Sequence, residues 1–387
     1  MKIGIVLTSL PNYSETFFNN KVKVLIDSGY SISIFVNNSR SNTEILPFEV
    51  PIFSQPDIEK KTSLLIKLIL LIITSPKVIY KFIKLENLSR KKWSDIFKNL
   101  VLNTHILNKR LDWVHFGFAT AAITKENVAE AIGARLAVSL RGFDINFYPY
   151  KHKNCYDILW SKVDKVHTIS NALYSKAIAL GLDPSKDYEK ITPAVNTSFF
   201  KTKVFRSFSN PLRLLTVGRL EWVKGYDYLL YALHLLKNKG INFECHIVGE
   251  GSCYENIMFA INQLNLKNQV KLERALSHNN VYKEMEWADI YIQPSIEEGF
   301  CNSVLEAQAM GLLCIVTNSG GLTENIIDNK TGWVVPKRNS KFILDKIISI
   351  MEMDNSDLQL ISKNAIERVN DKFNIEFQKN LFKFFYR

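Results

Sequence analysis

Gln293-Pro294-Ser295-Ile296-Glu297-Glu298-Gly299-Phe300-Cys301-Asn302-Ser303-Val304-Leu305-Glu306 joins a short apolar run, residues 290–293, to a helix-length segment that stops at Gly311. A strand feeding a glycine-containing loop and then a helix is the repeating unit of a parallel α/β sheet. The same stretch carries chemistry. In the first helical turn the N–H groups of Asn302, Ser303 and Val304 have no intrahelical acceptor, which makes a ready anion site. Gly299 lets the backbone come close to a ligand. Glu298 precedes the helix and Glu306 lies about one turn inside it. A carboxylate just beyond a phosphate site can accept the hydroxyls of a ribose. On spacing alone, a capped surface helix with two ordinary glutamates fits equally well.

Working outward, short β-branched runs alternate with amphipathic segments along the whole chain. Residues 2–7, 31–36, 113–116, 136–140 and 165–169 predict strands in the first half. Residues 212–217, 243–248, 270–272, 290–293 and 313–316 do so in the second. The clearest helix places Tyr226, Leu229, Leu230, Leu233 and Leu236 on one face and ends at Lys239-Gly240. The alternation restarts near residue 210, after a segment (194–211) poor in long apolar runs. The expected fold class is therefore α/β with two doubly wound, Rossmann-like domains facing across a cleft. Their expected bounds are 1–198 and 199–371, with a C-terminal helix, 372–387, packing back on the first. Ligands of such domains bind at the carboxyl ends of the strands.

A second constellation is Val217-Gly218-Arg219-Leu220-Glu221-Trp222-Val223-Lys224-Gly225. Two cations between a strand and a helix can reach one pyrophosphate, Arg219 as a fork and Lys224 as a point charge. Together with the Glu298 loop, both ends of a nucleotide diphosphate find partners in one domain. Ile247-Val248-Gly249-Glu250-Gly251 begins like a dinucleotide fingerprint, but the third glycine is missing, so it is weak evidence for a nicotinamide cofactor.

Composition bounds the function class. The 387 residues exceed what one core usually holds, and 47% hydrophobic with 22% charged residues is ordinary for a globular protein. The N-terminal apolar run is too short for a signal peptide. Five cysteines with no Cys-x-x-Cys pair read as free thiols in a reducing cytoplasm. The formal net charge of +11 is uneven: residues 51–100 hold ten Lys or Arg against four Asp or Glu, while residues 201–387 hold 23 against 21. The excess surrounds the run Leu64-Leu65-Ile66-Lys67-Leu68-Ile69-Leu70-Leu71-Ile72-Ile73. That run is too short to span a bilayer, but a helix with apolar and basic faces can lie on an anionic membrane surface, here through residues 60–98. The competing reading is a helix packed on its own domain. No nucleic-acid motif accompanies the basic residues, and no histidine–cysteine spacing or Asp-x-Asp motif predicts a metal.

The chain resembles glycosyltransferase family 4, retaining enzymes with the two-domain GT-B fold. The matching pieces are Gly218-Arg219-Leu220 with Lys224-Gly225, Val248-Gly249-Glu250-Gly251, Glu298-Gly299-Phe300 through Glu306, and Gly320-Gly321 with Glu324 and Gly332. In the first domain Ser14-Glu15-Thr16-Phe17, His115-Phe116-Gly117 and Ile169-Ser170 are similar to members that build exopolysaccharides of the colanic-acid type. The resemblance implies transfer of a sugar from a UDP- or GDP-linked donor to a polysaccharide or lipid-linked acceptor, without cofactor or metal. The cysteines predict a cytoplasmic protein, and the apolar, basic run of residues 60–98 gives it one candidate place, peripheral on the inner face of the plasma membrane. The resemblance gives Arg219 and Lys224 the donor pyrophosphate, Glu298 the transferred sugar, and Glu306 the ribose. Gly249, Glu250, Gly299, Phe300, Cys301 and the Asn302–Val304 amides would line the donor, and Ser14, Glu15 and Thr16 the first, acceptor-side loop.

Three segments depart from the family pattern. Where members commonly carry His-Gly-x-Asp, this chain has Arg141-Gly142-Phe143-Asp144. Arg141 can donate to phosphate or hydroxyls but cannot act as a base near neutral pH. His115 at a strand end is then the remaining histidine candidate, with Asp144 beside it in the catalytic set; a structural role for His115 is an equal reading. Ala194-Val195-Asn196 replaces Gly-Val-Asp, and Pro11-Asn12-Tyr13 replaces a glycine-rich loop. The alternatives are a sugar-nucleotide epimerase or phosphorylase on the same fold, and a non-catalytic nucleotide-sugar-binding scaffold.

Overall fold

The structure is a computed structural model and describes residues 1–10, 16–37, 49–57, 61–201 and 207–387. The chain forms two compact units, Met1–Ile191 with Lys379–Arg387, and Thr192–Gln378.

Among the described residues, the first unit contains a sheet of β1 (Lys2–Leu7), β2 (Ser31–Val36), β3 (Ile52–Ser54), β4 (Trp113–Phe116), β5 (Arg135–Leu140), β6 (Lys165–Thr168) and β7 (Asp187–Lys190). Their order is β3-β2-β1-β4-β5-β6-β7, and every pairing is parallel. The second unit holds β8 (Leu212–Val217), β9 (Phe243–Val248), β10 (Val270–Glu273), β11 (Ile290–Gln293), β12 (Leu313–Thr317) and β13 (Trp333–Val335). There the order is β10-β9-β8-β11-β12-β13, again all parallel. In both sheets the winding reverses beside the first strand, at β1/β4 and at β8/β11. Loops leaving the carboxyl ends on either side of such a reversal diverge and open a crevice for ligand.

Burial explains why these runs became strands. Leu212, Leu214, Ile247, Ile290, Ile292 and Ile315 are buried in one cluster with Leu229, Leu233 and Leu236 from the helix Tyr226–Asn238. Each such side chain contributes about 1.5–3 kcal/mol on leaving water. β3, β7 and β13 were not expected from the sequence. The first and last are only three residues long, and β7 reads Asp-Tyr-Glu-Lys on a solvent-facing sheet edge.

The last helix, Ile375–Phe385, continues from the second unit into the first. At its start, Val195 N–H donates to Phe373 O at 2.8 Å and Gln378 Nε2 donates to Thr192 O at 2.6 Å. At its end Phe382, Phe385 and Tyr386 are buried in the first unit. Among the described residues no helix is long and apolar enough to cross a membrane.

Candidate active site

The β8/β11 reversal positions the charged groups singled out in the sequence. After β8 the chain makes a short 3-10 turn, Trp222–Lys224, and Gly225 follows with φ +70°. A Cβ on Gly225 would stand 2.2 Å from Pro294 O, so only glycine lets this loop lie against the end of β11. Ile296 N–H donating to Val223 O at 2.7 Å fastens the two loops. Lys224 Nζ is thereby placed to donate to Glu298 Oε2 at 2.6 Å. Lys224 is buried. Burial alone would lower its pKa, but the charge of Glu298 and the hydrogen bond to it outweigh that and hold the ammonium above its usual range. Arg219 is exposed at the same loop and makes no ion pair among the described residues.

Glu298 is oriented from below. Ser295 Oγ donates to Glu298 Oε2 at 3.3 Å, and Gln293 Nε2 donates to Ser295 Oγ at 2.9 Å. The Tyr291 hydroxyl sits 2.9 Å from Gln293 Oε1, 2.8 Å from Ser303 Oγ and 3.0 Å from Val217 O, linking β11, the next helix and β8. Gly320 and Gly321 brace the other side. Their Cβ atoms would stand 2.3 Å from Glu298 O and 1.9 Å from Gly299 O, and Gly321 N–H donates to Glu298 O at 2.8 Å.

The helix Asn302–Ala309 begins at Cys301 without a side-chain cap, which leaves its first N–H groups open to an anion. Asn325 clamps the loop, its Oδ1 accepting from Cys301 N–H at 3.1 Å and its Nδ2 donating to Cys301 O at 2.9 Å. The sequence placed Phe300, Cys301, Ser303 and Val304 along the donor. In the structure Phe300, Cys301 and Val304 are buried. The Cys301 thiol lies 3.3 Å from Ser303 Oγ, and burial pushes its pKa up. The Val304 amide faces that thiol. Ser303 Oγ donates to Val217 O at 3.0 Å. These side chains therefore build the loop. With the Cys301 and Val304 N–H groups engaged there, the N–H groups of Asn302 and Ser303 are the first-turn donors left without a partner among the described residues. Glu306 is half-buried and has no ion pair among the described residues; burial pushes its pKa up to about 7.

Gly249 serves close packing: its Cβ would stand 1.9 Å from Gly218 O. Glu250 O accepts from Leu220 N–H at 2.9 Å, while its carboxylate pairs with exposed Arg274 at 3.0 Å.

The first-unit candidates fall into a separate arrangement. His115 is fully buried at the end of β4. Its Nδ1 is 2.6 Å from the Tyr386 hydroxyl and its Nε2 is 2.8 Å from Ser139 Oγ, which is itself 2.8 Å from His167 Nδ1. Lys21 Nζ lies 3.2 Å from His115 Nε2. Burial, then the Lys21 charge, hold the His115 ring well below the usual histidine range. Asp144 is also fully buried and accepts three backbone N–H bonds, from Gly142 at 2.8 Å, Ala119 at 3.1 Å and Arg141 at 3.2 Å. Burial raises its pKa against those bonds. Arg141 is half-buried, with its guanidinium 5.2 Å from the Phe118 ring. Ser14 and Glu15 lie outside the described residues, and Thr16 opens the helix Thr16–Asp27. Sequence reasoning passed over Lys21, Ser139, Tyr291 and Tyr386, because each matters through a partner distant in the chain.

Cations and carboxylates are gathered at the switch point of the second unit, and comparison with known proteins gives the class. Residues 199–368 match the family model described as glycosyl transferases group 1. The chain carries a domain of that family and is a glycosyltransferase. Over 97% of its length and 96% of theirs, it is 23% identical to the putative colanic acid biosynthesis glycosyltransferase WcaL of Escherichia coli K12 and 26% identical to the amylovoran biosynthesis glycosyltransferase AmsK of Erwinia amylovora. Among solved structures, Anabaena HepE in complex with UDP superposes with TM-score 0.72 at 14% identity, covering 98% of this chain and 97% of that one. The lipopolysaccharide outer core galactosyltransferase WaaB, in its apo form, gives TM-score 0.70 at 17% identity over 99% and 98%. The fold is that of the GT-B glycosyltransferases.

Proposed function

We propose that this enzyme moves a sugar, with retention of anomeric configuration, from a UDP- or GDP-linked donor to a polysaccharide or lipid-linked saccharide during cell-surface polysaccharide synthesis, as a family 4 enzyme. The observation that carries the donor half is the Lys224–Glu298 contact of 2.6 Å at the β8/β11 switch point, with Arg219 exposed beside it. Names of similar proteins support the rest: WcaL and AmsK act in colanic acid and amylovoran biosynthesis, and HepE has been crystallised with UDP-glucose.

In this reading Arg219, Lys224 and the first N–H groups of the helix Asn302–Ala309 take the pyrophosphate. As the bond from the anomeric carbon to the donor phosphate oxygen breaks, negative charge grows on the leaving group, and fixed cations and amides stabilise it there. The acceptor oxygen bonds to the same carbon on the face the nucleotide leaves, and its proton passes to a donor phosphate oxygen. Glu298 orients the sugar, and Glu306 holds the ribose hydroxyls. Positive charge at the leaving group comes from side chains, so the reading expects turnover without a divalent metal. It places the enzyme on the inner face of the plasma membrane, with residues 60–98 toward an anionic surface.

The test is transfer from radiolabelled UDP- and GDP-sugars to a membrane lipid extract, with and without EDTA. Acceptor-dependent nucleotide release that survives EDTA is expected. Release that needs no acceptor would point to the epimerase alternative, and loss in EDTA would remove metal independence.

A further inference from the structure

A cavity of about 570 Å³ lies in the first unit between the segments 74–78 and 107–110. Three cations line it, Lys77, Lys109 and Arg110. None pairs with a carboxylate among the described residues, and Lys109 instead stacks its Nζ 3.8 Å from the Phe53 ring centre. Lys77 sits in the first turn of the helix Pro76–Leu88, whose N-cap Ser75 makes no side-chain cap, so the positive end of that helix adds to the field. The neighbouring acids do not neutralise it. Between residues 61 and 110 the acids are Glu86 and Asp95. Glu86 is buried and already shared by Lys91, Asn99 and Asn127.

The cavity adjoins an apolar surface that none of the described residues covers. The helix Lys61–Thr74 ends at its lip and exposes Ile66, Ile69, Leu70 and Ile73, which lie along one stripe; Ile73 is 70% exposed. On the helix Pro76–Leu88, packed beside it, Lys77, Lys81 and Lys84 share an exposed face with Tyr80 and Leu88. Trp93, 70% exposed, and Phe97 continue the surface on the next helix, Trp93–Leu102. An apolar stripe edged by lysines fits the boundary between acyl chains and anionic headgroups.

We infer that this cavity is a headgroup site for anionic phospholipid: Lys77, Lys109 and Arg110 take the phosphodiester while the stripe of the helix Lys61–Thr74 lies among the acyl chains. The inference deepens the membrane part of the proposed function and is independent of the donor site.

The experiment is co-flotation of the full chain with vesicles of phosphatidylcholine alone and of phosphatidylcholine mixed with phosphatidylglycerol. The wild type is expected to float with the mixed vesicles only, and less so as salt is raised. Removing the three cavity cations together (Lys77→Ala, Lys109→Ala, Arg110→Ala) should weaken that binding about tenfold or more. An equal loss of charge at exposed lysines away from this surface (Lys151→Ala, Lys153→Ala, Lys267→Ala) should weaken it less. The inference is overturned if wild type ignores the lipid charge or does not bind. Equal losses in the two variants would overturn it too, since the charge would then act diffusely. So would displacement of bound protein by inorganic phosphate at low concentration, which marks a free-anion site. Unchanged unfolding temperature and nucleotide binding in both variants keep these outcomes separate from failure of the donor assignment.

Discussion

Lys224 Nζ and Glu298 Oε2 are 2.6 Å apart across the β8/β11 switch point, and among the described residues neither side chain makes another ion pair. Removing either side chain leaves a mostly buried charge uncompensated. Lys224→Ala and Glu298→Ala should each cost about 1–3 kcal/mol of stability, read from denaturant midpoints. Glu298→Gln keeps a hydrogen-bond acceptor and should cost less stability while still lowering turnover. Full turnover in Glu298→Gln would take the carboxylate out of the reaction.

Glycine positions report how tightly the two loops fit. Gly225 and Gly240 both have left-handed φ, +70° and +75°, but a Cβ on Gly240 meets nothing within 4 Å whereas one on Gly225 strikes Pro294 O. Gly240→Ala should cost about 1 kcal/mol from backbone strain alone, and Gly225→Ala roughly 2–4 kcal/mol. Only the second should also weaken nucleotide binding. Similar effects in both would mean that the loop does not depend on this approach.

Glu306 gives a pH signature. Its carboxyl titrates near 7 in the folded chain and near 4.5 when unfolded, so its contribution to stability is full below about pH 4.5 and is lost as pH rises through about 7. Glu306→Gln should flatten that part of the stability profile by about 3 kcal/mol. If the ionised carboxylate holds ribose hydroxyls, nucleotide affinity in the wild type rises with pH through the same window and the variant loses the rise. A rise that persists in Glu306→Gln would assign it to another group.

The buried network around His115 predicts acid sensitivity. Burial holds the rings of His115 and His167 well below the usual histidine range. The unfolded chain takes up protons at both below about pH 6.5 while the folded chain does not, so stability falls as pH drops through that value, by up to about 2.7 kcal/mol per pH unit. Lys21 is held below its ordinary range by burial and then by Arg141, so folding opposes its charge at neutral pH. Lys21→Met should therefore be neutral or stabilising at pH 7, checked by thermal unfolding. A clear loss would show that the amine is needed where it stands.

Strands with continuous β-branched runs were legible because both faces of a parallel sheet are buried, so apolar residues need not alternate. Edge strands were not: Asp187–Lys190 pairs through its backbone at a wet edge, where side chains carry no hydrophobic signal. The charges at the β8/β11 switch point were legible as motifs after β8 and β11. Their direct contact was not, since Lys224 and Glu298 are 74 residues apart and their loops are brought together by the β8/β11 pairing, Leu214 with Ile290 and Leu215 with Tyr291, and by the Ile296–Val223 bond. Cys301 and Ser303 stood in a motif that read as ligand-lining, yet their side chains turn into the loop's own hydrogen bonds. The partners of His115 come from three separate segments, a helix after β1, strand β5 and the turn that follows the last helix, so local spacing carried no trace of them.

In the proposed function the switch point of the second unit holds a nucleotide sugar, and Arg219 and Lys224 supply its positive charge. Isothermal titration of UDP, GDP and their sugar conjugates into the wild type, Arg219→Ala and Lys224→Ala, all in EDTA, tests it most directly. The account predicts binding of one nucleotide class to the wild type and affinity at least about tenfold weaker in each folded variant. Undiminished binding in Lys224→Ala, or no binding of any nucleotide to folded wild type, would contradict it.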